Sequence, residues 1–276
     1  MPLTDFAAGE LVLLVAAVVA TGLAAGFLAG IFGIGGGAIM VPIFYQALGF
    51  IGIDESIRMH LSVGTSLAVI VPTSIRSFLG HQAKGEVDME LLKSYVISVP
   101  TGVIAAAIAA SYLSSGGLRL VFAVIAFVVG LRLLFNQESW RLGDAIPGNP
   151  LRSAIGAGIG FFSTLMGIGG GVINNTFMTL YGRPIHQAVA TSSGMGVLIS
   201  VPGVFGYIWA GWGSEGLPLL STGYVNWIAV LLMIPITVFA APLGVKVAHA
   251  LNKRQLETGF GLFLLLVSLR FFVSLY

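Results

Sequence analysis

Phe32-Gly33-Ile34-Gly35-Gly36-Gly37-Ala38-Ile39 is repeated 134 positions on as Met166-Gly167-Ile168-Gly169-Gly170-Gly171-Val172-Ile173. A string this unusual, present twice in one chain, points to an internal duplication. Other matches follow in the same order. His60 with Thr65-Ser66 returns as His186 with Thr191-Ser192, at an offset of 126. Gly85-Glu86-Val87-Asp88 returns as Gly223-Tyr224-Val225-Asn226, and Leu131-Arg132 as Leu269-Arg270, both at an offset of 138. Loop insertions account for the changing offset.

Around the two glycine strings the sequence is apolar. The 276 residues are 57% hydrophobic and 9% charged, with a mean hydropathy of +0.98. Soluble domains carry ~25% charged residues, so the expected solvent is lipid. The segments between polar breaks are 11–32, 38–50, 59–79, 92–112, 118–135, 152–166, 172–181, 187–209, 224–246 and 256–274. Gln137 to Pro150 is the only long polar connection. The fold expected is an all-α polytopic membrane protein with one transmembrane domain over 1–276. Repeat 1 covers about 11–135, a linker 136–151, and repeat 2 about 152–274.

Five segments per half, an odd number, turn the second copy over in the membrane. Counting Lys and Arg by side agrees. Arg76, Lys84, Lys93, Arg132, Arg141, Arg152, Arg183, Lys246, Lys253 and Arg254 gather on one side, and only Arg58, Arg119 and Arg270 on the other. Positive charge stays cytoplasmic, which puts both termini outside the cytoplasm and the protein in a plasma membrane, the inner one in a bacterium. The first ten residues contain no Lys or Arg, so they lack the basic start of a secretory signal.

The glycine strings interrupt short helices. Val172 to Tyr181 is ten residues, only ~15 Å as a helix, so the second break is expected inside the hydrocarbon depth. Irregular backbone survives there only where protein buries it or water reaches it. A broken helix also offers N–H groups and a positive dipole end to an anion. Gly35, Gly36 and Gly37 are therefore expected to face Gly169, Gly170 and Gly171 across a small cavity, close packing by small residues being the rival reading.

Thr65, Ser66, Thr191 and Ser192 are candidate hydroxyl donors to that anion, although such side chains also bond back to their own helix. Asn174 and Asn175 are expensive in lipid and are expected to line the site; the first copy has Met40 and Val41 there, which makes the site asymmetric. Arg76 is a candidate counter-ion if it turns inward rather than snorkelling. His60 and His186 read as capping or interface residues ahead of a proton relay. Trp209 and Trp212 suit an interfacial belt, with Trp209 a candidate gate.

These residues resemble the TauE/SafE sulfite and sulfonate exporter family. The resemblance rests on the glycine motif in both halves and the Thr-Ser after each. It extends to Gly85–Asp88 and to Gly244-Val245-Lys246-Val247-Ala248 with Leu256 and Gly259. It implies export of sulfite or a small organosulfonate such as sulfoacetate, with the glycine turns and the Thr-Ser pairs as the matching positions. Asn226, standing where the first copy has Asp88, departs from a paired acidic site.

The function expected is a secondary transporter or facilitator that exports a small anion by alternating access around a midplane site between inverted repeats. Segment interiors hold no Asp or Glu, so carboxylate proton coupling has no evident residue. An anion channel of the same fold and a non-transporting membrane subunit are the alternatives. An enzyme is the weakest reading, since no H-E-x-x-H or G-x-S-x-G is present. No cofactor, metal or nucleic acid is expected. The partners are the anion, membrane lipid and, for a homodimer, a second copy of the chain.

Overall fold

The computed structural model describes residues 19, 22–24, 26–27, 37–135 and 141–275. Ten helices and one small hairpin are named among them. They are α1 (Gly37–Phe50), α2 (Glu55–Ala83), α3 (Met89–Tyr95), α4 (Ser98–Tyr112) and α5 (Ser115–Phe135) in the first half. The second half holds α6 (Leu151–Leu165), α7 (Gly171–Leu180), α8 (Ile185–Ala210), β1 (Ser221–Thr222), β2 (Val225–Asn226), α9 (Trp227–Ala250) and α10 (Lys253–Val273). Nine of the ten apolar segments thus correspond to helices; most of segment 11–32 lies outside the described residues.

Length and apolarity qualify α2, α5, α8 and residues 254–273 of α10 as spans, and the α3–α4 pair as a fifth, bent by 43°. α1, α6 and α7, with 14, 15 and 10 residues, are too short to cross alone, so the ten segments are not ten equal crossings.

Local chemistry sets the boundaries. Asp54 begins α2 by accepting the Ser56 amide (2.8 Å), and Asp88 begins α3 by accepting the Leu91 amide (3.0 Å). Asn226 does the same for α9 at Ala229 (2.9 Å), and Asn252 with Gln255 forms a reciprocal cap on α10.

Two helices form the centre and two the rim. In α8, 61% of the apolar window is buried, against 28% in α10. α2 packs on α8, while α5 packs on α10 antiparallel: Arg119 reaches Ser274 (3.1 Å), Ser268 reaches the Ala123 carbonyl (2.8 Å), and Arg254 reaches Leu134 (2.5 Å). Exposed apolar residues recur at helical spacing, as Leu120, Val124 and Val128 on α5 and Leu262, Leu266, Leu269 and Val273 on α10. Stripes of this kind face lipid. Small residues bring helices into backbone contact elsewhere. Gly102 of α4 lies against the Ala157 carbonyl and Gly160 of α6 against the Val99 carbonyl, leaving no room for a methyl group at either.

At the sparsely charged end, Arg119 is buried beneath Tyr45. It donates to the Tyr45 hydroxyl (2.8 Å) and pairs with Glu55 (2.5 Å). Arg58 lies over the same ring, and Arg270 donates to Gln46 (2.7 Å). The three arginines assigned to that side therefore collect around the last turn of α1.

Candidate functional site

The second glycine string breaks the chain between α6 and α7. Gly167 (φ 66°) and Gly170 (φ 75°) adopt left-handed backbone that a side chain would strain. Gly170 caps α7 with no side-chain hydrogen bond. Residues 163–172 are buried throughout, so this irregular backbone is enclosed by protein, as its depth requires.

Of the first string, Gly37 is described, whereas Gly35 and Gly36 lie outside the described residues. Gly37 does approach the other turn, but not across a cavity. A methyl group built on it would stand 2.6 Å from the Gly167 carbonyl oxygen and 2.7 Å from the Ile168 Cα. Gly169 is equally close to α2, where a methyl would meet Ile70 at 3.1 Å. At Gly37, the residue of the first triplet that is described, the contact is direct backbone packing and not the expected hollow, possible because glycine carries no Cβ.

The Thr-Ser pairs tie the halves together. Ser66 donates to the Gly167 carbonyl at 2.8 Å. The Thr65 hydroxyl accepts the Asn226 amide at 3.1 Å, and the Thr191 hydroxyl accepts the Asp88 amide at 2.9 Å. Each threonine thus closes the cap of a helix in the opposite half. Asp88 and Asn226, which looked like a lost acidic pair, are both helix caps, a task either side chain performs.

Ser192 joins the two asparagines. The Asn174 amide donates to its hydroxyl (2.7 Å), which donates onward to the Asn175 carbonyl oxygen (2.6 Å). The Asn174 Oδ1, the Ser163 and Ser200 hydroxyls and the Thr164 hydroxyl are buried without a hydrogen-bond partner. Ser163 Oγ lies 3.7 Å from where a Gly170 methyl would sit. Among the described residues these groups have no partner, and leaving such a group unpaired costs ~1–3 kcal/mol. Sequence reasoning missed Ser163 and Thr164. Their signal was two adjacent hydroxyls just ahead of the glycine string in an otherwise apolar segment.

Two expectations fail on placement. Arg76 is exposed. Ser74, ~200° away around the helix, is the residue that faces inward, against Gly196. Trp209 is 59% exposed and aligns with Phe205 and Trp212 at i, i+4, i+7 spacing. That stripe lies on the outer face of α8 and its end, as a belt does, and does not narrow a passage. His60 is buried, its Nε2 within 3.1 Å of the Ala110 and Leu113 carbonyls at the end of α4, whereas His186 is exposed. The repeat-matched histidines therefore differ in surroundings, and His60 is a helix-end cap.

At the lysine- and arginine-rich end, a small open pocket is lined by Asp88, Glu90, Leu91, Ile146, Arg152 and Arg183. Arg183 approaches Asp88 to 3.7 Å, and Arg152 donates from Nε to the Pro147 carbonyl (2.9 Å).

Apolar outer stripes on helices long enough to span define an integral membrane protein. The chain matches the family described as Sulfite exporter TauE/SafE over residues 18–271, and it belongs to that family. A protein of Haemophilus influenzae is 32% identical over 254 residues, covering 92% of this chain and 96% of that one. Another, of Methanocaldococcus jannaschii, is 28% identical over 252 residues, covering 90% and 91%. A third, from Bacillus subtilis, is 24% identical over 268 residues, covering 90% and 94%. All three carry the description "Probable membrane transporter protein". No solved structure matches the chain.

Proposed function

We propose that this chain is a secondary transporter that exports a small anion, sulfite or an organosulfonate such as sulfoacetate, from the cytoplasm. Its two halves act as inverted repeats. The observation that carries the reading is the reciprocal exchange in which Thr65 and Thr191 each accept a helix-cap amide from the other half. Matched residues making matched bonds in both directions are what a pseudo-two-fold relation produces.

The anion site lies at the second glycine turn. The uncapped start of α7 and the Ser163 and Thr164 hydroxyls supply donors there, with Gly169, Gly170 and Gly171 as the backbone, Asn174, Asn175 and Ser192 as a hydrogen-bonded support behind it, and Ser66 and Gly37 as its wall. Gly37 and α2 are packed against the second turn in the conformation described. Access requires α1 and α2 to part from the 166–170 turn, and the Thr65, Thr191 and Ser66 bonds are the contacts that move. With the arginine-rich face cytoplasmic and both termini outside, export of one negative charge is downhill by ~2.3 kcal/mol per 100 mV of inside-negative potential.

Purified protein in vesicles loaded with sulfoacetate tests this. Efflux accelerates when the loaded side is made negative. Efflux indifferent to potential removes downhill export, and non-saturating electrical conductance supports the channel instead.

A further inference from the structure

The pocket at the arginine-rich end contains a charge pair that its counterpart lacks. Asp88 already has a structural duty, since its Oδ1 caps the Leu91 amide and its own amide is held by Thr191. Neither bond needs a full negative charge. The chain demonstrates this at Asn226, which accepts the Ala229 amide and gives its own to Thr65 with a neutral side chain. The residue matched to Arg183, at the offset of 126, is Ile57. Both positions matched by these offsets, Ile57 and Asn226, are uncharged, and Asn226 caps its helix all the same, so the charges at 183 and 88 are additions to the cap.

The pair is also loosely made. At 3.7 Å the Arg183 nitrogen is attracted to Asp88 Oδ2 without hydrogen-bonding to it. Arg183 is 44% exposed, whereas Asp88 is 14% exposed. Arg152, on the same pocket, is anchored through Nε to Pro147, which leaves both terminal NH2 groups for a ligand. Two guanidinium forks on one open pocket suit the planar or trigonal oxygens of an oxyanion. Glu90, on the rim, is exposed and therefore well screened.

We propose that a small oxyanion, a sulfonate, sulfite or carboxylate, first docks between Arg152 and Arg183 and takes the place of the Asp88 carboxylate at Arg183. This deepens the anion-transport reading and rests on it. Freed of Arg183, Asp88 keeps its cap on α3 but loses its tie to the loop before α8, so docking loosens one of the contacts that holds this mouth closed.

Calorimetric titration of the purified full chain with sulfoacetate tests the pocket. Asp88→Asn copies the natural cap at Asn226, so it keeps the melting temperature and binds roughly two- to fivefold tighter, the size of an exposed ion pair. Arg183→Gln binds more weakly, and Asp88→Asn combined with Arg183→Gln binds no better than Arg183→Gln alone. Glu90→Gln, which removes one charge without freeing Arg183, has a smaller effect than Asp88→Asn. If Asp88→Asn tightens binding equally with and without Arg183, the effect is a general field and the docking site is overturned. If wild type binds and transports sulfoacetate while Asp88→Asn and Arg183→Gln behave like it, the pocket fails and the transport reading stands. If no variant binds the anion, both fail.

Discussion

The amide of Asn226 donates to the hydroxyl of Thr65, 161 positions earlier in the chain, at 3.1 Å. Its mirror, Asp88 to Thr191, spans 103 positions at 2.9 Å. Both threonines are buried, so neither bond can be exchanged for one with water. Together they place a helix start from each half against the N-terminal half of the other half's longest helix.

Removing either hydroxyl leaves a buried amide unsatisfied. Thr65→Val and Thr191→Val each lower stability by ~1–3 kcal/mol, seen as a lower melting temperature in detergent, and Thr→Ser at either site restores most of it. Equal melting of the valine and wild-type proteins shows that the bonds carry no weight.

Glycines separate into those that are enclosed and those that are not. Gly37→Ala drives a methyl to 2.6 Å from the Gly167 carbonyl and reduces both folded yield and efflux. Gly80→Ala, in α2 with nothing within 4 Å, is neutral or stabilising by up to ~1 kcal/mol. A comparison of folded yield and melting temperature decides it.

Ser192 is the shared partner of Asn174 and Asn175. Ser192→Ala strands both amides, and efflux falls roughly tenfold if one such bond of ~1.4 kcal/mol is used at the site. Ser193→Ala is the control, because Ser193 only returns a bond to its own helix at Ala190. Similar efflux from the two variants moves the site away from the asparagines.

Outside the spans, Glu86 accepts a 2.6 Å hydrogen bond from the His81 ring, which holds its carboxyl below the ordinary value of 4.5. A carboxyl depressed by folding stabilises fully above its unfolded pKa and loses that contribution as pH falls through the folded one. Acid melting of wild type therefore steepens below the ordinary value, and Glu86→Gln flattens that part of the curve. Identical acid limbs contradict the pairing.

Much of this was legible from residue order. Helix positions followed from apolar runs bounded by polar breaks, and the burial of the second glycine turn followed from a ten-residue segment too short to cross alone. The closeness of Gly37 to that turn was not legible. A Gly-rich turn looks the same in sequence whether it lines a hollow or packs on a carbonyl, and only the position of Gly167 relative to Gly37 distinguishes them. Arg76 failed for a related reason: apolar neighbours surround it on both faces of α2, so periodicity did not reveal that Ser74 was the inward residue. Asp88 and Asn226 were misjudged because two different side chains serve one cap, and the threonines that complete it are distant in sequence.

Because the chain has no native cysteine, the parting of α2 from the second glycine turn can be measured cleanly. A methyl at Gly169 would lie 3.1 Å from Ile70, close enough for Ile70→Cys with Gly169→Cys to form a disulfide across α2 and the turn. Sulfoacetate efflux from vesicles holding this variant should stop on oxidation and return on reduction, while wild type transports under both conditions. Equal efflux from the oxidised and reduced variant, with the disulfide verified, would mean that anions pass without α2 separating from the second glycine turn.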